Sequence, residues 1–89
     1  MNEETVEQRL KTMIVERLFM QISPEELDEN KSLVEDYGVD SVSLLELVVG
    51  LEEEFGVVIE DEEFDIENFK SVTSLARLVK AKQAEGTGS

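Results

Sequence analysis

The 89-residue chain is long enough for one domain with a single hydrophobic core, and its composition is strongly acidic. It contains 22 acidic against 8 basic residues, which gives a net charge of -14 at pH 7, so a nucleic-acid backbone or an anionic bilayer would repel its surface. Cysteine, histidine and tryptophan are absent, which excludes a disulfide framework, a thiolate or imidazole metal site and most mechanisms of nucleophilic or general-base catalysis.

The first predicted helix runs from about Glu3 to Met20, where apolar residues recur at helical spacing and acidic residues crowd the first turn. Thr5 and Gln8 fit a capping box, but Asn2 is an equally good cap, so the pattern leaves two starts open.

The N-terminus lacks the basic residues and apolar run of a secretory signal, and no apolar stretch is long enough to span a membrane. We therefore expect a cytoplasmic protein.

Residues 21–40 are predicted to form a long loop between the first two helices. A short helical turn is expected at Ser23-Pro24-Glu25-Glu26, and Gly38 breaks the structure that follows. The alternative is a disordered linker, but the spacing of the aliphatic residues favours a loop that is held against the helices. The residues expected to hold it are Ile22, Leu27, Leu33, Val34, Tyr37 and Val39.

The second helix is predicted from about Ser41 to Phe55 and ends at Gly56. Gly50 lies inside it, where glycine costs roughly 1 kcal/mol relative to alanine, so we expect either close approach of another helix or space left for a ligand beside Ala76 or Val79. The expected buried stripe is Leu44, Leu47, Val48, Leu51 and Phe55, widened by Leu45 and Val49. The expected opposite side is Ser43, Glu46, Gly50, Glu53 and Glu54.

The remainder of the chain completes a predicted all-α, four-helix bundle with three main helices and one short helix. Residues 57–59 are expected to be a buried extended connector, and the short helix to begin within residues 60–63. The last helix is predicted from about Thr73 to Ala84, with Ser71 or Thr73 as its cap. Residues 1–84 would form the domain and 85–89 a disordered tail. The expected inward anchors of the short helix are Phe64, Ile66 and Phe69.

Ser41 opens the longest apolar helix, after a bend at Gly38 and a good N-cap at Asp40. Because a helix N-terminus offers N–H groups and positive potential, a phosphate ester on an exposed Ser41 would be stabilised there. An ordinary capping pair would explain the same residues, and a second register would make Ser43 the capping-box residue with Glu46 as its partner. The local chemistry leaves these alternatives open.

A longer pattern around Ser41 resembles the signature of acyl carrier proteins. It consists of Gly38-Val39-Asp40-Ser41, then Leu45-Glu46-Leu47-Val48, then Leu51-Glu52-Glu53-Glu54-Phe55-Gly56-Val57, and it extends from the first helix to the start of the last one at residues 71–76. The resemblance implies that Ser41 carries 4'-phosphopantetheine, whose terminal thiol holds acyl groups as thioesters, with Asp40 as the flanking helix cap. The resemblance also implies a carrier that is not itself an enzyme and whose reactive thiol belongs to the attached arm.

The same resemblance implies which partners the chain meets. They are a Mg²⁺-dependent phosphopantetheinyl transferase, an acyl-loading ligase or acyltransferase, and synthases with basic patches that contact acidic residues on the second helix. We expect a monomer that binds no nucleic acid and does not insert into membranes. The positions that match the family's partner-binding residues are Asp40, Glu46, Glu52 and Glu53, with Val49 as the apolar contact.

Departures from the family pattern concern the type of carrier. Val42 and Ser43 replace the Leu-Asp that commonly follows the serine in carriers of fatty acid biosynthesis, and residues 64–72 are longer than the usual third-helix region. These features resemble stand-alone carriers of specialised pathways.

One rival function is a noncovalent acidic adaptor with Ser41 unmodified. Another is a calcium-binding protein, but the acids between Asp61 and Asp65 lack the alternating ligands and central glycine of a calcium loop, so no metal site is expected.

Overall fold

The computed structural model describes residues 5–86 and contains three α-helices joined by two connections. The helices are α1 (Val6–Arg17), α2 (Ser41–Phe55) and α3 (Val72–Gly86). Single-turn 3₁₀ helices at Pro24–Glu26 and Asp61–Glu63 interrupt the first and the second connection. Because residues 5–86 contain no strand, the prediction of an all-α helical bundle is confirmed.

A capping box at Thr5 starts α1. The Thr5 hydroxyl accepts a hydrogen bond from the Gln8 N–H at 3.1 Å, and the Gln8 side chain accepts one from the Thr5 N–H at 2.9 Å. The alternative cap, Asn2, lies outside the described residues. The helix ends at Arg17, earlier than the predicted Met20, because Phe19 adopts a left-handed conformation with φ of 54° that cannot continue a right-handed helix.

The helix α1 packs against both α2 and α3. Salt bridges show the relative directions, because Arg9 near the start of α1 pairs with Glu54 near the end of α2 at 3.2 Å. A second bridge, from Lys80 in the second half of α3 to Glu7 at the start of α1, spans 2.9 Å. Because Arg17 at the end of α1 also pairs with Glu46 in the first half of α2, α2 runs antiparallel to α1, and the Lys80–Glu7 pair places the second half of α3 beside the start of α1.

One hydrophobic core lies between the three helices and receives side chains from both connections. Its large side chains come from all three helices and from both connections, which explains how a chain without cysteine closes a single domain. The largest fully buried side chains are Leu10, Ile14, Leu27, Leu33, Leu47, Leu51, Phe69, Val72, Leu75 and Val79.

The long loop between α1 and α2 is held against the bundle, as predicted. Leu27, Leu33 and Val39 are buried, and the Leu33 N–H donates to the Lys70 carbonyl at 2.8 Å. The inward position predicted for Val34 is wrong, since its side chain is 41% exposed. The reason is a helical turn over residues 32–38, which directs Leu33 inward and therefore turns its neighbour Val34 outward.

The predicted short helix is reduced to the 3₁₀ turn Asp61–Glu63. Phe64 and Phe69 do anchor this region, with their rings in an edge-to-face contact at 5.1 Å between centroids. Ile66 was expected to point inward, but this is wrong because it is 71% exposed. A single helical turn, in which the Phe69 N–H donates to the Asp65 carbonyl at 3.1 Å, follows the 3₁₀ turn, and Ile66 lies on its outer side.

The start of α3 decides between the two predicted caps. The Ser71 hydroxyl accepts a hydrogen bond from the Ser74 N–H at 3.2 Å, so Ser71 is the cap and Thr73 lies inside the helix. Helical structure continues through Gly86, so Glu85, which was assigned to the disordered tail, is helical. The rest of that predicted tail, residues 87–89, lies outside the described residues.

Candidate functional site at the start of α2

A tight turn delivers the chain to the start of α2. Gly38 has φ of +70°, a left-handed conformation that glycine adopts without steric cost. The following residue, Val39, is buried, and its N–H donates to the Leu33 carbonyl at 2.9 Å. The turn is therefore held from the core side, and the next two residues, Asp40 and Ser41, are left at the surface.

Asp40 is the N-cap of α2, as predicted. Its carboxylate accepts a hydrogen bond from the Ser43 N–H at 2.8 Å, and its carbonyl accepts the Leu44 N–H at 3.0 Å. The hydrogen bonds from Ser43 lower the pKa of the Asp40 carboxyl. The competing register with Ser43 as the cap is wrong, because Ser43 is the third residue of the helix and donates its N–H to Asp40.

Ser41 is the first residue of α2, and it is exposed. Its hydroxyl makes no hydrogen bond within the part of the chain that the structure describes. The first turn of any α-helix also presents N–H groups that have no acceptor within the helix, together with the positive end of the helix dipole. The hydroxyl is thus accessible, and its surroundings suit the negative charge of a phosphodiester, so Ser41 fits a phosphopantetheine attachment point.

Three exposed apolar side chains follow Ser41 along one side of α2. Val42, Leu45 and Val49 are 72%, 54% and 44% exposed, and we call them the outer apolar row. Their spacing of three and four residues places them on one helix face. The prediction that Leu45 and Val49 widen the buried stripe is wrong, because that side of α2 is not covered by any described element.

A shallow groove of about 230 Å³ lies beside the first turn of α2. Leu44, three residues after Ser41, contributes to its wall together with side chains from the long loop and from the second connection. The groove combines apolar and charged groups, and it is open to solvent. The residues that line it are Ser32, Val34, Glu35, Leu44, Ile66, Glu67, Phe69 and Lys70.

The acids predicted to bind partners lie in different surroundings. Glu46 and Glu53 both accept hydrogen bonds from the Arg17 guanidinium, with 2.7 Å from Arg17 Nη1 to Glu46. Glu52 accepts the Ile59 N–H at 2.9 Å and thereby holds the connector that follows α2. Glu46 and Glu53 remain exposed at the surface, whereas Glu52 is half-buried.

Gly50 faces α1, and the prediction that it leaves space beside Ala76 or Val79 is wrong. A Cβ atom at this position would lie 2.7 Å from the Met13 Sδ and 2.7 Å from the Arg17 Cδ. Gly50 is buried, so its predicted place on the outward side of α2 is also wrong. Close approach of a second helix, the other predicted explanation, is confirmed.

Comparison with known families decides what this site belongs to. The family model described as a phosphopantetheine attachment site matches residues 8–79, which is most of the 89-residue chain. The chain is a carrier protein of the acyl carrier family. The match includes the whole of α2 and the turn before it, and the family implies a 4'-phosphopantetheine prosthetic group. Carrier domains of this family are themselves non-catalytic.

Two further observations concern membrane-spanning helices and metal sites, neither of which was expected from the sequence. None of the helices within residues 5–86 has the length and hydrophobicity needed to cross a bilayer. Over the same residues, no group of three or more acidic side chains is arranged so that it could hold a metal ion. In the acidic segment that suggested calcium binding, the Glu63 carboxylate is engaged with the Lys82 ammonium at 2.7 Å.

Two features of the site were not predicted from the sequence. One is Arg17, which joins two of the predicted partner-binding acids, and the other is the exposure of the outer apolar row. The glycine at position 50 was the available signal for Arg17, because it indicated that a side chain or helix approaches α2 there. No comparable signal distinguished Leu45 from the buried leucines, since all lie at helical spacing.

Proposed function

We propose that this chain holds acyl groups as thioesters on a 4'-phosphopantetheine arm attached to Ser41 and presents them to partner enzymes in the cytoplasm. The observation that carries the proposal is the exposed Ser41 hydroxyl at the first position of α2, which lies within the family match and has no hydrogen-bond partner among residues 5–86. The arm supplies a flexible chain ending in a thiol, which a protein without cysteine lacks. The chain's own residues would contribute binding and orientation, with no catalytic group.

Each residue of the turn then has a defined part. Gly38 and Val39 fix the direction of the chain, Asp40 holds the first turn of α2, and Ser41 presents its hydroxyl to solvent. The first-turn N–H groups offset the charge of a phosphate in an otherwise acidic protein. A tethered acyl group gains a high effective concentration at each enzyme that binds the carrier.

The proposed partners are a phosphopantetheinyl transferase, an acyl-loading ligase or acyltransferase, and synthases with basic patches. The net charge of -14 supports association with basic surfaces at rates that fall as salt rises. We place Asp40, Glu46, Glu52, Glu53 and Val49 at that interface. Val42, Ser43 and the extended segment 64–72 support a carrier of specialised metabolism over one of fatty acid biosynthesis, and we propose that the carrier acts as a monomer.

Intact mass spectrometry tests the attachment. The purified chain is incubated with coenzyme A, Mg²⁺ and a broad-specificity phosphopantetheinyl transferase. Wild type and Ser43→Ala should each gain one phosphopantetheine mass, and Ser41→Ala should gain none. The proposal fails if wild type gains no mass or if Ser41→Ala gains it equally. Failure together with binding of basic partner proteins would instead support a noncovalent acidic adaptor.

A further inference from the structure

The Arg17 side chain crosses from α1 to α2 and lies between two acids of the proposed partner surface. Its two terminal nitrogens donate to Glu46 and to Glu53, which are two helical turns apart on α2. Gly50 lies between them in sequence and is the residue over which the Arg17 side chain passes. We call Arg17, Glu46 and Glu53 the arginine bridge.

Only glycine at position 50 leaves room for this arrangement. An added Cβ would approach the Arg17 Nε to 2.8 Å and the Arg17 Cδ to 2.7 Å, both far below an ordinary contact distance. The Arg17 side chain therefore packs directly over Gly50 before its guanidinium reaches the two carboxylates. Arginine suits the position because its planar fork can serve two carboxylates at once.

The bridge changes the charge that a partner meets on α2. Two free carboxylates would present a charge of -2, whereas the bridge presents -1, and its carboxylates already have a cation as hydrogen-bond partner. A basic residue of a partner must displace Arg17 or share the acids with it. Asp40, Val42 and Leu45 lie closer to Ser41 along the chain than Glu46 does, and Asp40 has no such internal cation in the part of the chain that the structure describes.

We propose that Arg17 is a specificity-determining residue, which withholds Glu46 and Glu53 from basic partners and so favours partners that bind the outer apolar row beside Ser41. The inference rests on the proposed carrier function, since it concerns partners that approach Ser41. Carriers that display these two acids freely would depend on them for docking. In this chain, docking depends less on them for as long as Arg17 is present.

A double-mutant cycle on binding tests this without relying on the loaded carrier. In the Ser41→Ala background, which prevents turnover, the Kd for a broad-specificity phosphopantetheinyl transferase is measured for the parent, Arg17→Gln, Glu46→Gln and the double variant. Arg17→Gln should lower the Kd about three- to fivefold, and the decrease should be larger at low salt. Glu46→Gln should change the parent Kd by less than about twofold and weaken binding of the Arg17→Gln variant by about three- to fivefold.

Arg9→Gln is the matched control, because it removes the same charge from the same helix. Arg9 pairs with Glu54 at the other end of α2, roughly 20 Å from Ser41 along the helix axis. The Kd of the Arg9→Gln variant for the transferase should stay within about twofold of the parent value. Arg17→Lys keeps the charge but loses the fork, so its Kd should lie between those of the parent and Arg17→Gln, which covers the case in which the glutamine variant folds poorly.

Two results would overturn the inference. One is an equal effect of Glu46→Gln in the presence and absence of Arg17, and the other is an equal tightening by Arg9→Gln and Arg17→Gln, which would reduce the effect to net charge. If wild type is still modified at Ser41, either result rejects the proposed role of Arg17 and leaves the carrier function intact. A wild-type chain that gains no phosphopantetheine rejects the carrier function, and with it this inference.

Discussion

The two sides of α2 are both rich in aliphatic residues, yet they have different environments. On the inner side, Leu44, Leu47 and Leu51 are at most 9% exposed and belong to the core. On the outer side, the outer apolar row is between 44% and 72% exposed. Folding accounts for the inner side, because burial of those side chains stabilises the bundle. The outer side contributes little to the core, and the exposure of a row of adjacent apolar residues supports the proposal that partners bind beside Ser41.

Truncating one leucine on each side gives the largest contrast. Leu47→Ala should lower the free energy of unfolding by about 2–5 kcal/mol, because Leu47 is fully buried and leaves a cavity. Leu45→Ala should lower it by less than about 1 kcal/mol but weaken binding of the phosphopantetheinyl transferase. Urea denaturation and a Kd measurement check both. Equal losses of stability for the two variants would contradict the division of α2 into two sides.

Asp40 is the N-cap of α2 and precedes both of its sides. Its substitution tests whether this cap stabilises the start of the helix. Asp40→Ala removes the acceptor of the Ser43 N–H and should lower the Tm by roughly 4–8 °C. Asp40→Asn keeps an acceptor at the same position and should lower it by less. Thermal unfolding followed by circular dichroism distinguishes them. The cap assignment is contradicted if both variants unfold at the wild-type temperature.

Phe19 is another exposed apolar residue, and it lies outside the outer apolar row. It is 86% exposed and holds a left-handed φ of 54°, which is strained for a residue with a Cβ. Phe19→Gly should therefore raise the free energy of unfolding by about 0.5–1 kcal/mol. Gly56→Ala, at φ of +67°, is the opposite change and should lower it by about 1 kcal/mol. A loss of stability in Phe19→Gly would show that the side chain supports the fold.

The smallest expected effect concerns the ion pair between Glu63 and Lys82. The Lys82 ammonium lowers the pKa of Glu63, and the Glu63 carboxylate raises the pKa of Lys82. Stability from the lowered Glu63 pKa is present above its ordinary value of 4.5 and is lost as the pH falls through the folded value. Stability from the raised Lys82 pKa is present below 10.5 and is lost as the pH rises through the folded value.

Glu63→Gln tests this pair by removing the charge while keeping an amide of similar shape. Its urea midpoint should lie below that of wild type near neutral pH, and the two midpoints should converge at acid pH and at strongly alkaline pH. Lys31→Gln is a suitable control, because Lys31 is exposed and does not take part in the ion pair. A difference between wild type and Glu63→Gln that is constant over the whole pH range would contradict the assigned ion pair.

Much of the fold follows from local sequence signals. The bounds of α2 were predicted correctly because Asp40 and Gly56 are strong caps at its two ends. The long loop was also predicted correctly, since its buried residues Leu27, Leu33 and Val39 stand in a polar segment. These signals act over a few residues, so they can be read without knowing how the helices pack.

The errors concern packing between elements. Leu45 and Leu47 have the same hydrophobicity and both fit the helical stripe, and only the positions of α1 and α3 decide which is buried. Ile66 was misplaced because the single turn over residues 65–69 directs Ile66 to the surface and Phe69 into the core. The arginine bridge joins residues 29 and 36 positions apart, so no local spacing indicates it. The chemistry at Ser41 was predicted from the family resemblance, and the structure adds its exposure.

The central claim is that Ser41 alone receives the phosphopantetheine arm, and fragmentation mass spectrometry of the modified chain tests it most directly. Trypsin leaves residues 32–70 as one peptide, because no lysine or arginine lies between Lys31 and Lys70. That peptide contains Ser32, Ser41 and Ser43, which fragmentation separates. The account predicts the added mass on Ser41 with the other two serines unmodified. An added mass on Ser43 or Ser32, or no modification of the peptide, would contradict it.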